Sequence, residues 1–285
     1  MQIPIESISL LMLNVGYVEH DGDWNWQNVN SPFSRIYCVT EGEARIHFSN
    51  KVVTCRPGHL YIIPAYTTHS YECSGHFAHY YLHVSEGFKQ ETDVFELYDL
   101  PAEVASTDDD LLLFQRMIEN HPYAHLPESN PSAYDNTASM SDYVRRYVDM
   151  PLYQKMQLRG SILILFSRFM ACANPRVWTM DKRLSHILSF INNHIYEPLD
   201  LDRLSAEVCL TRNYLIRLFK RHMGTSPIQY INRRKMERAQ LMLLTQDTPV
   251  KEIAYSMGFN DHSYFIRLFR KLMGVTPQEY RRTMS

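Results

Sequence analysis

The sequence predicts an α+β protein of two domains, a β-barrel with helices followed by an all-α domain. The 285 residues reach the length, roughly 250 to 300, at which a single hydrophobic core stops growing. Short β-branched and aromatic segments fill about the first 110 residues, whereas the last hundred contain a helical repeat. The charge is divided too: residues 182–285 hold 17 Lys and Arg against 9 Asp and Glu, and the preceding residues hold 12 against 22. This asymmetry indicates that only the second domain approaches a polyanion, although chance clustering gives the same composition.

Two segments fifty residues apart carry the helical repeat. They read NYLIRLFKRHMGTSPIQY at 213–230 and SYFIRLFRKLMGVTPQEY at 263–280, and nine of the eighteen positions are identical. Upstream, an offset of forty-nine aligns the apolar residues of two shorter segments: Leu201, Leu204, Val208 and Leu210 with Val250, Ile253, Met257 and Phe259. The pattern predicts two copies of a short helix, a tight turn and a second helix.

Capping and turn residues delimit each copy. Asp200 and Thr211 are the expected N-caps in the first copy, and Asn260 or Asp261 in the second. Gly258 marks the second turn. In each copy, a second helix with polar residues in its first turns has the geometry that fits a DNA major groove.

These stretches resemble the signature of the AraC/XylS family of transcription regulators over roughly the last hundred residues. The resemblance implies two helix-turn-helix units joined by a long helix that spaces their recognition helices about one DNA turn apart. Residues 227–244 are similar to that helix, and they include a basic set: Arg233, Arg234, Lys235 and Arg238.

The resemblance also implies which side chains face DNA bases: Arg212, Asn213, Ile216, Arg217, His262, Ser263, Tyr264 and Arg267. Arg217 and Arg267 are the strongest candidates, since an arginine can donate two hydrogen bonds to guanine. A surface ion pair or a phosphate contact is the alternative for either arginine. Four further basic residues are expected to touch phosphates and so to position the protein without reading sequence: Lys220, Arg221, Arg270 and Lys271.

The N-terminal region predicts an antiparallel barrel over about residues 1–110, with helices over about 108–173. Its strands are broken at Glu41-Gly42, Ser49-Asn50 and Pro57-Gly58. The stretch CRPGHLYIIPAYTTHSY and the preceding TEGEA turn resemble the cupin-like sensory domain of one branch of the same family. Together these assignments give a sensing and dimerisation domain at 1–173, a linker at 174–181 and a DNA-binding domain at 182–285.

Nine of the thirteen histidines precede residue 126, so metal binding must be considered. Enzymatic cupins use an HxH pair in their first motif, and the corresponding stretch, RIYCVTEGEARIH, has none; only His69 matches a cupin ligand position. We therefore expect neither a metal nor a cofactor, and no enzyme activity.

The barrel is instead expected to bind a small polar effector, such as a saccharide. Strand alternation places His79, Tyr81 and His83 on one face, and the family's sugar-binding members have an aromatic residue and a histidine at similar positions. Trp24 and Trp26 can stack on a sugar ring. The alternative is that these residues fill the barrel core.

A helix between the domains predicts a homodimer. Leu158, Ile162, Leu165, Phe169 and Cys172 form a heptad seam, and apolar residues on the adjacent face can pack on the barrel. Burial within one domain is the alternative. Residues 127–141 resemble a loop.

The function expected from these features is ligand-responsive regulation of transcription, which for an activator includes contact with RNA polymerase. The alternatives are a metal-dependent cupin enzyme fused to a DNA-binding module and an architectural DNA-binding protein. No segment is long and apolar enough to span a membrane. Five widely spaced cysteines favour reduced thiols, and we expect a cytoplasmic protein.

Overall fold

A computed structural model describes residues 5, 8, 10–31, 33–86, 94–135, 137–175, 182–223 and 225–282. The chain divides into two units, which are treated separately. The N-terminal unit comprises residues 9–87 and 100–174, and the C-terminal unit comprises 1–8, 88–99 and 175–285. None of the described helices is both long and apolar enough to cross a membrane.

The N-terminal unit is built on two antiparallel sheets. Its strands are β1 (Leu10–Asp21), β2 (Ser34–Gly42), β3 (Ala44–Phe48), β4 (Val52–Cys55), β5 (His59–Ile63), β6 (His69–Glu72), β7 (His76–Glu86) and β9 (Glu103–Ala105). The larger sheet has the order β1-β7-β2-β5-β9 and the smaller has the order β4-β3-β6. One apolar cluster contains side chains from both sheets, including Tyr37 and Tyr81 of the larger and Ile46 and Tyr71 of the smaller. The core of this unit therefore lies between the sheets.

The strand register arranges the interior side chains in rows. Arg35 pairs with His83 and Tyr37 pairs with Tyr81 across β2 and β7. Gly16 of β1 lies opposite Tyr81, and a Cβ at Gly16 would approach the Tyr81 hydroxyl to 2.3 Å. A glycine is needed there because the tyrosine ring passes over the backbone of its neighbour.

Helices follow these strands in the chain: α2 (Asp108–Asn120), α3 (Pro131–Tyr134), α4 (Thr137–Asp149) and α5 (Leu152–Ala171). Of these, α2, α4 and α5 contact β1, whose first half is buried on both faces. The stretch predicted as a loop over 127–141 thus contains α3 and the start of α4. The polar composition of this stretch predicts a loop. Tertiary contacts stabilise α3 and the start of α4 as helix, which composition does not report.

The structure corrects the predicted dimer seam. Leu158, Ile162, Leu165 and Phe169 are at most 2% exposed in the isolated chain. They pack inside their own unit, so they are not available to a second subunit. Cys172 alone of the heptad positions is exposed. Burial within one domain, the alternative interpretation, is the observed one.

The C-terminal unit consists of helices: α6 (Lys182–Asn193), α7 (Leu201–Glu207), α8 (Arg212–Met223), α9 (Pro227–Thr245), α10 (Val250–Ser256), α11 (His262–Met273) and α12 (Pro277–Arg282). It also includes α1 (Val94–Leu97) and β8 (Tyr98–Asp99), which lie within the stretch predicted as part of the sensory domain. Leu97 is 7% exposed and belongs to the apolar cluster of α6, α7 and α8. Of the predicted linker, Asn174 and Pro175 form the short strand β10, and residues 176–181 lie outside the described residues.

The sequence repeat is repeated in space. The ring of Phe219 meets that of Tyr230 edge-on at 5.9 Å, and Phe269 meets Tyr280 in the same way at 5.3 Å. Each pair ties a second helix to the helix that follows it. The identical positions of the repeat are therefore mostly positions of its two cores.

The predicted caps are present as well. Asp200 accepts a hydrogen bond from the Arg203 amide, Thr211 from Tyr214 and Asp261 from Ser263, at 2.8, 3.3 and 2.7 Å. A capping box of Ser226 and Gln229 begins α9, and Thr276 with Glu279 begins α12. These bonds satisfy the free amides at each helix start.

Candidate functional site

The second helix of each repeat, α8 and α11, presents a polar face to solvent. Six of the eight residues predicted to face DNA bases are exposed, and Ile216 and His262 are half-buried. The buried sides of the helices are formed by Leu215 and Phe219 in α8 and by Phe265 and Phe269 in α11. The two helices therefore expose equivalent surfaces because they bury equivalent positions.

The exposed arginines differ in their local partners. Arg212 forms an ion pair with Asp202, and Arg267 lies 3.8 Å from a carboxylate oxygen of Asp261. Both pairs are well exposed, so solvent screens them and a competing phosphate or base can replace the carboxylate. Arg217 lies 5.9 Å above the ring of Tyr214.

The predicted phosphate-contacting residues all lie in the last turns of α8 and α11 and are exposed: Lys220, Arg221, Arg270 and Lys271. Basic side chains at this end also interact favourably with the helix dipole.

Two of the four basic residues on α9 have structural roles that the sequence did not reveal. Lys235 is 3% exposed, and its ammonium donates hydrogen bonds to the carbonyls of Glu197 and Met257, each at 2.6 Å. Burial lowers the pKa of Lys235 to about 8. Arg234 is also buried and donates a hydrogen bond to Glu237 at 2.9 Å. Lys235 thus ties the segment after α6 to the turn of the second repeat.

The residues predicted to bind the effector come together in the N-terminal unit. Trp24 stacks on Tyr71 at 4.0 Å and lies 5.2 Å from the ring of His79, and Tyr81 lies 5.6 Å from His83. Trp26 is half-buried against the same cluster. The five residues are therefore neighbours, although Trp24 is as well packed as a core residue.

Sequence reasoning missed the polar end of this interior. Arg35 is 1% exposed, and its guanidinium lies 4.6 Å from the centre of the Phe33 ring. It donates hydrogen bonds to Ser31 at 2.5 Å and to Asp135 at 3.5 Å. One sequence feature indicated that Arg35 points into the interior: the strand alternation of RIYCV places Arg35 on the same face as Tyr37.

Several buried nitrogens in this interior find no hydrogen-bond partner among the residues that the structure describes. They are Arg35 Nε, His79 Nδ1, His83 Nδ1 and Trp26 Nε1. Burial holds the pKa of His79 and of His83 well below the usual value, and lowers that of His69 to about 4. These histidines are neutral at physiological pH. His79 and His83 can each make one further hydrogen bond through Nδ1, whereas both ring nitrogens of His69 are already paired, with the Thr67 carbonyl and the Tyr71 hydroxyl.

Within the described ranges, no three His, Cys, Asp or Glu side chains are placed to hold one metal ion. His69, the residue that matched a cupin ligand position, instead shares a hydrogen bond of 2.8 Å with the Tyr71 hydroxyl.

Comparison with known families matches both units. A model of the AraC-like ligand binding domain matches residues 17–93, and a model of a helix-turn-helix domain matches residues 204–283. The fold and these matches define a protein that joins a ligand-binding domain to a DNA-binding domain. The chain belongs to the AraC family of regulators.

The similarity to characterised relatives is confined to parts of their chains. The transcriptional activator RhaS of Escherichia fergusonii is 33% identical over 81 residues, 28% of this chain and 29% of that protein. The lactose operon transcription activator of Staphylococcus xylosus is 23% identical over 124 residues, 44% of each. The matched part is thus less than half the length of either relative. The structure of ToxT from Vibrio cholerae O395 has 15% identity and a TM-score of 0.51 over 97% of this chain and 100% of that one, which shows a shared fold.

Proposed function

We propose that this protein is a sequence-specific DNA-binding regulator of transcription, an activator controlled by a small polar effector. The observation that supports this most strongly is the equivalent exposure of Arg217 and Arg267. Both occupy the same position of the repeated helix, and neither contributes to the core of its repeat. Selection for folding alone does not require an arginine at either position, whereas guanine recognition does.

Base recognition and backbone contact are assigned to different parts of each helix. The first two turns of α8 and α11 carry the residues proposed to read bases, and the last turns carry those proposed to hold phosphates. This division follows the usual docking of a recognition helix, whose N-terminal residues contact base edges. Both repeats then contribute to one asymmetric site.

The test is selection of bound sequences from random duplex DNA by the full-length protein, with repetition for two variants. Arg217→Ala and Arg267→Ala should each erase one of two sequence blocks about 10 bp apart and weaken binding to the best site by about 1 to 3 kcal/mol. Lys220→Ala and Arg270→Ala are the matched controls. Each should weaken all sites alike and leave the selected sequence unchanged. If the arginine variants also select the wild-type sequence, then neither arginine reads bases.

The effector is proposed to be a hydroxylated small molecule such as a saccharide, bound among His79, Tyr81, His83 and the two tryptophans. The buried nitrogens without partners support this assignment, because a polar ligand satisfies groups that an apolar one leaves unpaired. An activator of this kind also contacts RNA polymerase at its promoter. An architectural role without an effector predicts that no small molecule stabilises the protein.

A homodimer is proposed as the form that binds DNA, through a face other than the predicted seam. The outer side of α5 exposes large apolar residues: Leu152, Tyr153, Met156 and Ile164, between 51% and 73% exposed. Leu152, Met156 and Ile164 fall on one face because they are separated by four and eight residues. A second copy of the same helix would bury this stripe.

A further inference from the structure

The polar end of the N-terminal unit's interior identifies the class of effector more narrowly, and this inference rests on the proposed function. Arg35 brings a permanent positive charge to a position that is 1% exposed. His83 lies directly opposite it on the neighbouring strand. A buried charge requires a counter-charge and hydrogen-bond acceptors, and an arginine retains its charge at any physiological pH.

The protein satisfies Arg35 only in part. The guanidinium has five donors, and its Nε finds no acceptor among the described residues. Its contact with Asp135 runs through Nη2 alone, at 3.5 Å. An arginine usually holds a buried carboxylate with two parallel bonds of about 2.8 Å. The side of the guanidinium that includes Nε therefore lacks the acceptor that this geometry would supply.

Asp135 is poorly suited to be the permanent counter-ion. It directly follows α3, and its side chain is 12% exposed, so water lies nearby. Burial raises the pKa of the Asp135 carboxyl to about 6, although Arg35 opposes this shift. Its carboxylate is thus held next to Arg35 at a cost in solvation, and moving it outward into water would recover that cost.

We propose that Arg35 anchors an acidic effector, a small hydroxylated carboxylate of the sugar-acid class, whose carboxylate takes the place of Asp135. A ligand carboxylate engaging Nε and Nη2 supplies both the missing acceptor and the counter-charge. A neutral saccharide supplies hydroxyl acceptors but no counter-charge.

The remaining groups select for hydroxyls on the same ligand. The unpartnered Nδ1 atoms of His79 and His83 lie on β7, which pairs with the strand of Arg35. In the same interior, the Tyr37 and Tyr71 hydroxyls share a hydrogen bond of 2.7 Å. A plain aliphatic acid would bind the arginine and leave the imidazoles unsatisfied. An acid with several hydroxyls satisfies both ends of the interior.

The test compares acids with their neutral counterparts, using the full-length protein. Galacturonate, glucuronate and gluconate are paired with galactose, glucose and glucitol, at matched ionic strength, and binding is measured by thermal shift and by titration calorimetry. The proposal expects at least one acid to stabilise the protein while its neutral counterpart does not.

Two variants connect binding to the proposed contact. Asp135→Asn removes the competing carboxylate while keeping its size, and should tighten binding of that acid by about tenfold or more. Asp149→Asn changes an exposed carboxylate at the end of α4 by the same chemistry and should change nothing. Arg35→Lys keeps the positive charge but loses the planar guanidinium that donates two parallel hydrogen bonds to a carboxylate. It should weaken binding of that acid by about tenfold.

The proposal is overturned if no acid of the panel binds, if a neutral sugar stabilises the protein as well as its acid, or if Asp135→Asn and Arg35→Lys both leave the acid's affinity unchanged. The same preparations are used for DNA selection, which keeps the two proposals apart. A selected DNA sequence without acid binding overturns only the effector class. The absence of any selected sequence contradicts the proposed function itself.

Discussion

At the scale of single residues, the two repeats form the same turn with different amino acids. Cys209 and Gly258 occupy the equivalent position between the paired helices, with φ of 51° and 71°. A side chain is unfavourable in this left-handed region. The first repeat tolerates one because Cys209 is exposed, whereas a Cβ at Gly258 would lie 2.4 Å from the carbonyl carbon of Glu197.

Substitutions at this position should therefore act in opposite directions. Cys209→Gly should stabilise the C-terminal unit by about 0.5 to 1 kcal/mol, since relief of backbone strain exceeds the added entropy of the unfolded chain. Gly258→Ala should destabilise it by about 2 kcal/mol or more, because strain and a steric clash add. Urea denaturation followed by circular dichroism measures both. Changes in the free energy of unfolding that are opposite in sign but equal in size would show that the close approach to Glu197 adds nothing to the backbone strain.

At the scale of elements, α5 is apolar on two sides. One side is buried inside the N-terminal unit, and the other carries the exposed stripe that includes Met156 and Ile164. The heptad seam of the sequence lies on the buried side, so it does not supply an interface to a second chain. Periodicity reports that a face is buried, and it does not report whether the chain's own domain or a second chain buries it.

Association through the exposed stripe leads to a specific expectation. Met156→Glu should shift a dimer toward monomer, because the carboxylate must be buried without a partner when the second helix docks. Gln115→Glu adds the same charge at an exposed position of α2, outside the stripe, and should leave the oligomeric state unchanged. Sedimentation equilibrium over a range of concentrations measures both variants. A dimer of undiminished affinity in Met156→Glu would assign the interface elsewhere.

At the scale of the whole molecule, the two units differ in where their ionisable side chains lie. Among the described side chains of the C-terminal unit, most basic residues are exposed or half-buried, and Arg234 and Lys235 are buried. The N-terminal unit instead buries ionisable groups, including His69, His79 and His83. The stability of the N-terminal unit is therefore expected to depend on pH.

The direction of that dependence follows from the buried histidines. Their pKa values in the folded protein lie below the unfolded value of 6.5, to about 4 for His69, so unfolding takes up protons as the pH falls. The stability that these histidines contribute is complete above pH 6.5 and falls as the pH drops below it, and the contribution of His69 is lost between pH 6.5 and about 4. The raised pKa of Asp135, about 6, opposes this over pH 6 to 3.8 but offsets only one histidine. The N-terminal unit is therefore expected to lose stability between pH 7 and pH 5.

Tryptophan fluorescence can follow this unfolding, because Trp24 and Trp26 belong to the N-terminal unit. With Trp178 replaced by Phe, the melting temperature should fall steadily from pH 7 to pH 5. His69→Gln removes one titrating group and should make the fall shallower. A melting temperature that is constant over this range would mean that the buried histidines titrate normally.

The sequence by itself determined the helical unit in detail. The fifty-residue repeat predicted both helix pairs, caps at Asp200, at Thr211 and at either Asn260 or Asp261, and the polar faces of α8 and α11. These features are local, because capping and periodicity depend on residues a few positions apart. The division into a β-rich unit and a helical unit followed from the same kind of signal.

Only the tertiary structure decided which residues meet across long stretches of chain. Arg35 and Asp135 are a hundred residues apart, and Asp135 lay in a stretch that resembled a loop. Leu97 packs with the first repeat although it lies between strands of the other unit. Lys235 of α9 donates hydrogen bonds to the carbonyls of Glu197 and Met257, which lie 38 and 22 residues away in the chain. Burial and pairing of this kind arise when distant segments are brought together, and no local pattern encodes the partner.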